Sequence, residues 1–131
     1  MRIGIDITDV ERMKKMLQKH PLMRQRIFTG EEIRHCEKRG RRRAESYAAL
    51  WSVREAAGKA LGIGLGGASW KDASLSYGSR GEPVLVLSGT FKKRADLLGI
   101  ESTAVSLTHE KSAAAAVVIM TGGEKNDCCN S

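Results

Sequence analysis

The sequence predicts an α+β domain with a mainly antiparallel sheet packed with a long central helix. Three observations carry that expectation. The elements read β-α-α-α-β-β-α-β-β, with helices and strands in runs rather than in strict alternation. Two strand pairs in the second half, 73–77 with 84–87 and 103–108 with 113–120, are joined by short connections that impose antiparallel pairing. The stretch 47–62, YAALWSVREAAGKALG, lacks Pro and is apolar in almost every direction on a helical wheel, as a buried helix is. At 131 residues the chain has the length of a single domain. That domain is expected over residues 1–120, followed by a polar tail, 121–131, expected to be disordered.

Residues 2–8 alternate Ile3, Ile5 and Ile7 with Gly4, Asp6 and Thr8, the period of a strand. Asp6 shares a face with Gly4, and a strand glycine marks the close approach of another group. An acid runs against β propensity here, so Asp6 either turns to solvent on an edge or belongs to a site. Thr8 to Glu11 reads T-x-x-E, a capping box that opens a helix. Its apolar stripe is Val10, Met13, Met16 and Leu17, its basic surface Arg12, Lys14, Lys15 and Lys19, and Pro21 stops it. After Arg24 and Arg26, a second T-x-x-E, Thr29 to Glu32, has Phe28 and Ile33 at the staple positions and starts a helix running to about residue 39. His35 and Cys36 on that helix lack the partner spacing of metal ligands. The basic run Arg39, Arg41, Arg42 and Arg43 then either binds phosphate or nucleic acid or is simply exposed.

On the central helix Ser52, Glu55 and Lys59 form one narrow polar stripe, with Arg54 roughly opposite. Burying charge is costly unless it is paired or bound to something. Two readings stay open. Glu55 and Lys59 pair with each other at i, i+4, or they face a cleft where Glu55 holds a cation and Lys59 an anion. Gly58 costs about 1 kcal/mol against Ala inside a helix, which points to a close approach there. Residues 62–67, GIGLGG, match G-x-G-x-x-G but follow a helix, the wrong context for a dinucleotide fingerprint. They read as a flexible loop whose backbone approaches a ligand. Beyond the first hairpin, Ser88 is expected to cap a short helix carrying Phe91, Ala95 and Leu98, closed by Gly99. In 103–108 Ser106 lies opposite Val105 and Leu107, and His109 begins the last connection.

A net charge of +7 implies an acidic counterpart, while 5% aromatic residues are too few for a single-strand stacking platform. Cys36, Cys128 and Cys129 form no CxxC and read as free thiols in a reducing compartment. No apolar run approaches the ~20 residues that cross a bilayer, and the start lacks a signal-peptide core. A cytoplasmic protein without a membrane partner is expected. One reading is a small basic nucleic-acid-binding module built on residues 39–43 and the first helix. It leaves Asp6 and Glu55 without a role and matches no recognised motif.

Four pieces, GIDITDVERM, FTGEE, WSVREAAGKALGIGLGG and SLTHEKSAAAAVV, resemble in their order and spacing the holo-acyl carrier protein synthases, the small bacterial 4′-phosphopantetheinyl transferases. The resemblance covers about residues 2–120. It implies transfer of 4′-phosphopantetheine from coenzyme A to a serine of the acidic apo-acyl carrier protein, with adenosine 3′,5′-bisphosphate as the other product and no nucleic-acid partner. By the same resemblance Asp6 and Glu55 match two Mg²⁺-binding carboxylates, and Lys59 matches a lysine beside the pyrophosphate; these three form the implied catalytic set. Arg42, Gly62, Ser106 and His109 match coenzyme A-binding positions, and Arg12, Met16 and Arg26 match a carrier-protein docking surface. Family members are typically trimers with the site at subunit interfaces, which puts Ser106 and His109 across from a neighbour's central helix. Two positions depart from the family pattern: Arg54 stands where a Lys is usual, and Leu50 where an Arg often contacts coenzyme A. The general base is left between Glu32 and a water.

Overall fold

The computed structural model describes residues 1–64 and 69–122. The elements are β1 (Arg2–Asp9), α1 (Val10–Lys19), α2 (Met23–Ile27), α3 (Gly30–Glu37), α4 (Arg43–Leu61), β2 (Ala73–Tyr77), β3 (Pro83–Leu87), α5 (Gly89–Leu97), β4 (Ser102–His109) and β5 (Ala113–Thr121), with short 3-10 turns at Gly40–Arg42 and Trp70–Asp72. This is the expected order with one addition, the five-residue α2. Its N-cap, Leu22, makes no side-chain bond, so no capping residue announced it.

The strands form an antiparallel sheet in the order β1-β5-β4 and a separate β2-β3 hairpin. The α4 helix packs on β1 and β5. Its residues Tyr47, Leu50, Val53, Ala57 and Leu61 are buried with Phe28, Phe91, Val118 and Met120 to form the core.

How closely α4 lies on β1 is set by Gly4. A Cβ there would stand 1.9 Å from the Ala56 carbonyl oxygen and 2.8 Å from the Ala60 nitrogen. The helix backbone occupies the space a side chain would need, which is the close approach that a strand glycine signals. Asp6, on the same face, is thereby brought beneath the helix. The alternate face of β1 is turned outward although it is apolar: Ile3, Ile5 and Ile7 are 62%, 66% and 72% exposed.

The capping box at Thr29 is reciprocal: Glu32 N–H donates to Thr29 Oγ1 (3.2 Å) and Thr29 N–H to Glu32 Oε1 (2.8 Å). The box expected at Thr8 is not formed. Asp9 is the N-cap of α1 and accepts from the Arg12 N–H at 3.1 Å. The reason is the sheet: β1 stays in register with β5 through Asp9 and Ala113, so the chain is still extended at Thr8. Ser88 is likewise at the N-cap of α5 without a side-chain bond. Asp72, arriving from the turn before β2, accepts from the Thr90 N–H instead (3.1 Å).

At its C-terminus α4 closes in a Schellman turn, Ile63 N–H to Gly58 C=O (2.9 Å) and Gly62 N–H to Lys59 C=O (3.2 Å), with Gly62 at φ +74. A Cβ on Gly58 would meet the Ile63 carbonyl oxygen at 2.7 Å. The close approach expected at Gly58 therefore exists, and its partner is the chain's own turn. Arg2 and Arg94 donate to the Ala60 and Leu61 carbonyls at 2.7 and 3.0 Å, satisfying groups that a helix end leaves open. The expected glycine loop continues through Leu65, Gly66 and Gly67, which lie outside the described residues, as do the tail beyond Gly122 and Cys128 and Cys129. No described helix is long and apolar enough to cross a membrane.

Candidate active site

The polar stripe of α4 faces β1. Thr8 Oγ1 donates to Asp6 Oδ2 (3.2 Å) and lies 2.6 Å from Ser52 Oγ, which is fully buried. Two turns further along the helix, Lys59 Nζ donates to the Ile5 carbonyl (2.9 Å) and to Asp6 Oδ1 (3.3 Å). Lys59 thus reaches across to the strand, and the i, i+4 partnership with Glu55 is not the arrangement found. Asp6 is held from both sides, by a hydroxyl and by an ammonium.

Glu55 sits between Ser52 and Lys59 on the stripe and opens, with Asp6, onto a groove of about 450 Å³. Burial pushes the Glu55 carboxyl above the ordinary glutamate range; the negative charge of Asp6 adds to this, and Lys59 partly offsets it. Met13, Met16, Trp51 and Trp70 supply apolar surface to the same groove, the two indoles packing edge-on at 6.1 Å. The site therefore joins two like charges to an apolar wall. Among the described residues no group of three or more His, Cys, Asp and Glu side chains could hold a metal. Asp6 and Glu55 are a two-carboxylate set, and such a set fits Mg²⁺, which commonly takes one or two carboxylates and completes its shell with water and substrate phosphates. The like-charge cost evident at Glu55 is one that a divalent cation removes.

The remaining expected residues fall in four places. Arg12 and Met16 line the groove beside the carboxylates, and Arg26 lines an adjoining pocket that shares Met23 with it. Arg42 and His109 meet elsewhere, at Glu45. Arg42 Nε and Nη2 each donate to Glu45 at 3.2 Å, and His109 Nδ1 lies 3.0 Å from Glu45 Oε1. The Arg42 hydrogen bond, then that of His109, holds the Glu45 carboxyl below its usual range. Glu45 precedes Glu55 by ten residues, about 15 Å of helix, so one chain does not bring this cluster to the groove. Ser106 pairs with Val117 and lines a shallow depression with Ile5 on the outer face of the sheet. Gly62 is the C-cap of α4, next to the last turn that carries Lys59.

Glu45 is a residue that the sequence reading missed. Its signal was modest, an acid three positions after Arg42 in the first turn of a helix. Glu32 proves unsuited as a base. Both its oxygens are taken, by Thr29 N–H, Arg54 and Leu75 N–H, and it is fully buried. Leu50 is likewise in the core. Cys36 is buried, and burial, with Glu32 next, pushes its thiol up to about 12, so it is an inert packing group.

The family described as the 4′-phosphopantetheinyl transferase superfamily matches residues 2–118. The chain belongs to that superfamily. Similar transferases include the holo-[acyl-carrier-protein] synthase of Thermoanaerobacter sp. (strain X514), 37% identical over 95% of this chain and 90% of the relative. That of Treponema denticola is 41% identical over 92% of this chain and 97% of the relative. The crystal structure of the Helicobacter pylori holo-[acyl-carrier-protein] synthase in complex with coenzyme A superposes with a TM-score of 0.78 at 30% identity, covering 91% of this chain and 99% of that one. The Bacillus anthracis synthase, in complex with coenzyme A (3′,5′-ADP), gives 0.72 at 31% identity over 91% and 94% of the two chains. The transferase fold expected from the four motifs is thus present along nearly the whole chain, with α4 and β1 supplying its candidate groove.

Proposed function

We propose that this transferase moves 4′-phosphopantetheine from coenzyme A to a serine of apo-acyl carrier protein in a Mg²⁺-dependent reaction. The observation that carries the proposal is the Asp6–Glu55 carboxylate pair, with Lys59 adjacent, opening onto one groove. In the balanced reaction, the serine oxygen bonds to the phosphorus that bears the pantetheine arm. The bridging P–O bond of the pyrophosphate breaks, and the electron pair leaves with adenosine 3′,5′-bisphosphate. The serine proton passes to a water in the groove, since Glu32 is occupied. Mg²⁺, when bound, offsets charge on the pyrophosphate oxygens.

Asp6 and Glu55 hold the cation. Lys59, whose side chain is 56% exposed, turns from Asp6 toward the departing phosphate, where positive charge lowers the barrier. Trp51, Trp70 and the methionines offer the pantetheine arm an apolar surface. Arg12 and Met16 on the groove, with Arg26 beyond, receive an acidic carrier protein and speed encounter. The test mixes purified chain, coenzyme A, Mg²⁺ and apo-carrier protein and follows the intact mass of the carrier. A phosphopantetheine-sized gain that EDTA abolishes is expected; an unchanged carrier mass overturns the reading.

A homotrimer is part of the same proposal. Two observations support it. Ile3, Ile5 and Ile7, paired with Ile119, Val117 and Ala115 of β5, form an apolar outer sheet face of the kind that marks an interaction surface. And Arg42 and His109, which match coenzyme A-binding positions, meet at Glu45, far from the groove of their own chain, so a neighbour's copy completes it. Ile5→Lys leaves the Ile5 carbonyl in place for Lys59 and puts a charge on the outer face. It is expected to convert the trimer to monomers by light scattering, with loss of transfer. A wild-type monomer that is fully active, or a trimeric variant, refutes this assembly.

A further inference from the structure

Helix α1 separates two pockets. Arg12, Met13 and Met16 face the carboxylate groove. On another side of the helix, Lys14 and Gln18 line a second cavity of about 330 Å³ with Arg24, Arg41 and Arg43. We propose that this second cavity binds a small phosphate-bearing anion, separately from the catalytic groove.

The four cations come from α1, α2, the turn before α4 and the first residue of α4, and converge on one concavity. A docking or nucleic-acid surface would instead spread its charges along a face. No carboxylate lines the cavity. The nearest, Glu37, lies 3.7 Å from Arg24 Nε and 3.8 Å from Arg43 Nε, and it also accepts from the Tyr47 hydroxyl. It offsets one of the four charges. Lys14 and Arg41 make no ion pair among the described residues.

A second feature points the same way. Arg24 Nε is buried and without a hydrogen-bond partner, and no other buried side-chain nitrogen or oxygen among the described residues is in that state. A buried donor of this kind calls for an acceptor. An anion oxygen in the cavity supplies one while it neutralises Lys14 and Arg41. Phosphate oxygens match arginine's fork of donors, and the cavity is of the size that small ligands occupy.

The experiment titrates inorganic pyrophosphate into the full chain by calorimetry, in EDTA and at low salt, with coenzyme A saturating the catalytic groove. Binding is expected to persist under saturation. Lys14→Gln with Arg41→Gln is expected to weaken it about tenfold or more, without a change in melting temperature, because both side chains are exposed and unpaired. ADP in place of pyrophosphate separates a free anion from a nucleotide-borne one: equal affinities mean that the phosphates alone are read, and tighter ADP binding means that the base contributes. Binding that coenzyme A abolishes, or that the double variant leaves within about twofold, overturns the second site. This outcome is independent of whether the chain catalyses transfer.

Discussion

Asp6→Asn and Glu55→Gln are each expected to lower phosphopantetheine transfer by at least about a hundredfold with the fold retained. Both substitutions keep shape and remove charge. In Asp6→Asn the amide oxygen still accepts from Lys59 and the amide N–H donates to the Thr8 hydroxyl, so the seam between β1 and α4 survives. The lost quantity is a full negative charge on a hard divalent cation. Two further readouts separate metal loss from local damage. Mg²⁺ is expected to raise the melting temperature of the wild-type protein at neutral pH and to leave Glu55→Gln unchanged, since only a bound cation stabilises the folded state. The pH dependence carries a definite sign. The Glu55 carboxyl is raised by burial and by Asp6, so its ionised form is disfavoured in the metal-free fold. Its contribution to metal-free stability is present at low pH and lost as pH rises through its titration. Metal loading runs the other way and fails as pH falls, at a higher pH than an ordinary glutamate would give. A variant of either residue with a near-normal rate rejects the metal assignment.

The parts of this arrangement that could be read from sequence are those fixed by local pattern. The period of two in β1, the reciprocal box at Thr29 and the two hairpins follow from residues within a few positions of one another. Gly4 and Asp6 were informative because each contradicts strand propensity, and both departures trace to the same cause, the backbone of α4 lying directly on β1. What was illegible depends on long-range pairing. Asp9 rather than Thr8 caps α1 because β5, over a hundred residues later in the chain, holds β1 extended. Asp72 rather than Ser88 serves α5 because a turn 18 residues earlier delivers a carboxylate there. Lys59 chose a strand carbonyl and Asp6 over the nearer Glu55. The Glu45–His109 contact spans 64 positions, and no spacing rule reaches that far. The outward isoleucines show the same limit: alternation gives two faces, and only the packing of α4 says which is covered.

The largest stability effect is expected at the buried pair beneath the groove. Arg54 is fully buried, and its guanidinium donates to Glu32 Oε1 (2.6 Å) and Oε2 (3.0 Å), to the Ile27 and Trp70 carbonyls (each 2.8 Å) and to Leu50 C=O (3.3 Å). It also lies 5.0 Å over the Phe28 ring. Glu32→Ala leaves that charge unpaired in the core, at a cost of about 3–5 kcal/mol. Against a total stability of roughly 5–15 kcal/mol, the melting temperature should fall by about 10–20 °C. Arg54→Lys keeps the charge but replaces a five-donor fork with three donors on a single nitrogen. Carbonyls on α2 and on the turn at Trp70 cannot both be reached, so a loss of about 1–3 kcal/mol is expected. The double variant Glu32→Leu with Arg54→Leu should lose less than either single leucine variant, because neither charge is stranded. A Glu32→Ala protein that melts within a few degrees of wild type refutes the closed pair. The link to function is geometric. Arg54 is the residue before Glu55, and the carbonyl it holds belongs to Trp70, which lines the groove. Arg54→Lys should therefore loosen one wall beside the carboxylates and raise KM for coenzyme A more than it lowers kcat, whereas loss of Glu55 itself removes kcat. The split between the two parameters tells a displaced wall from a missing metal ligand.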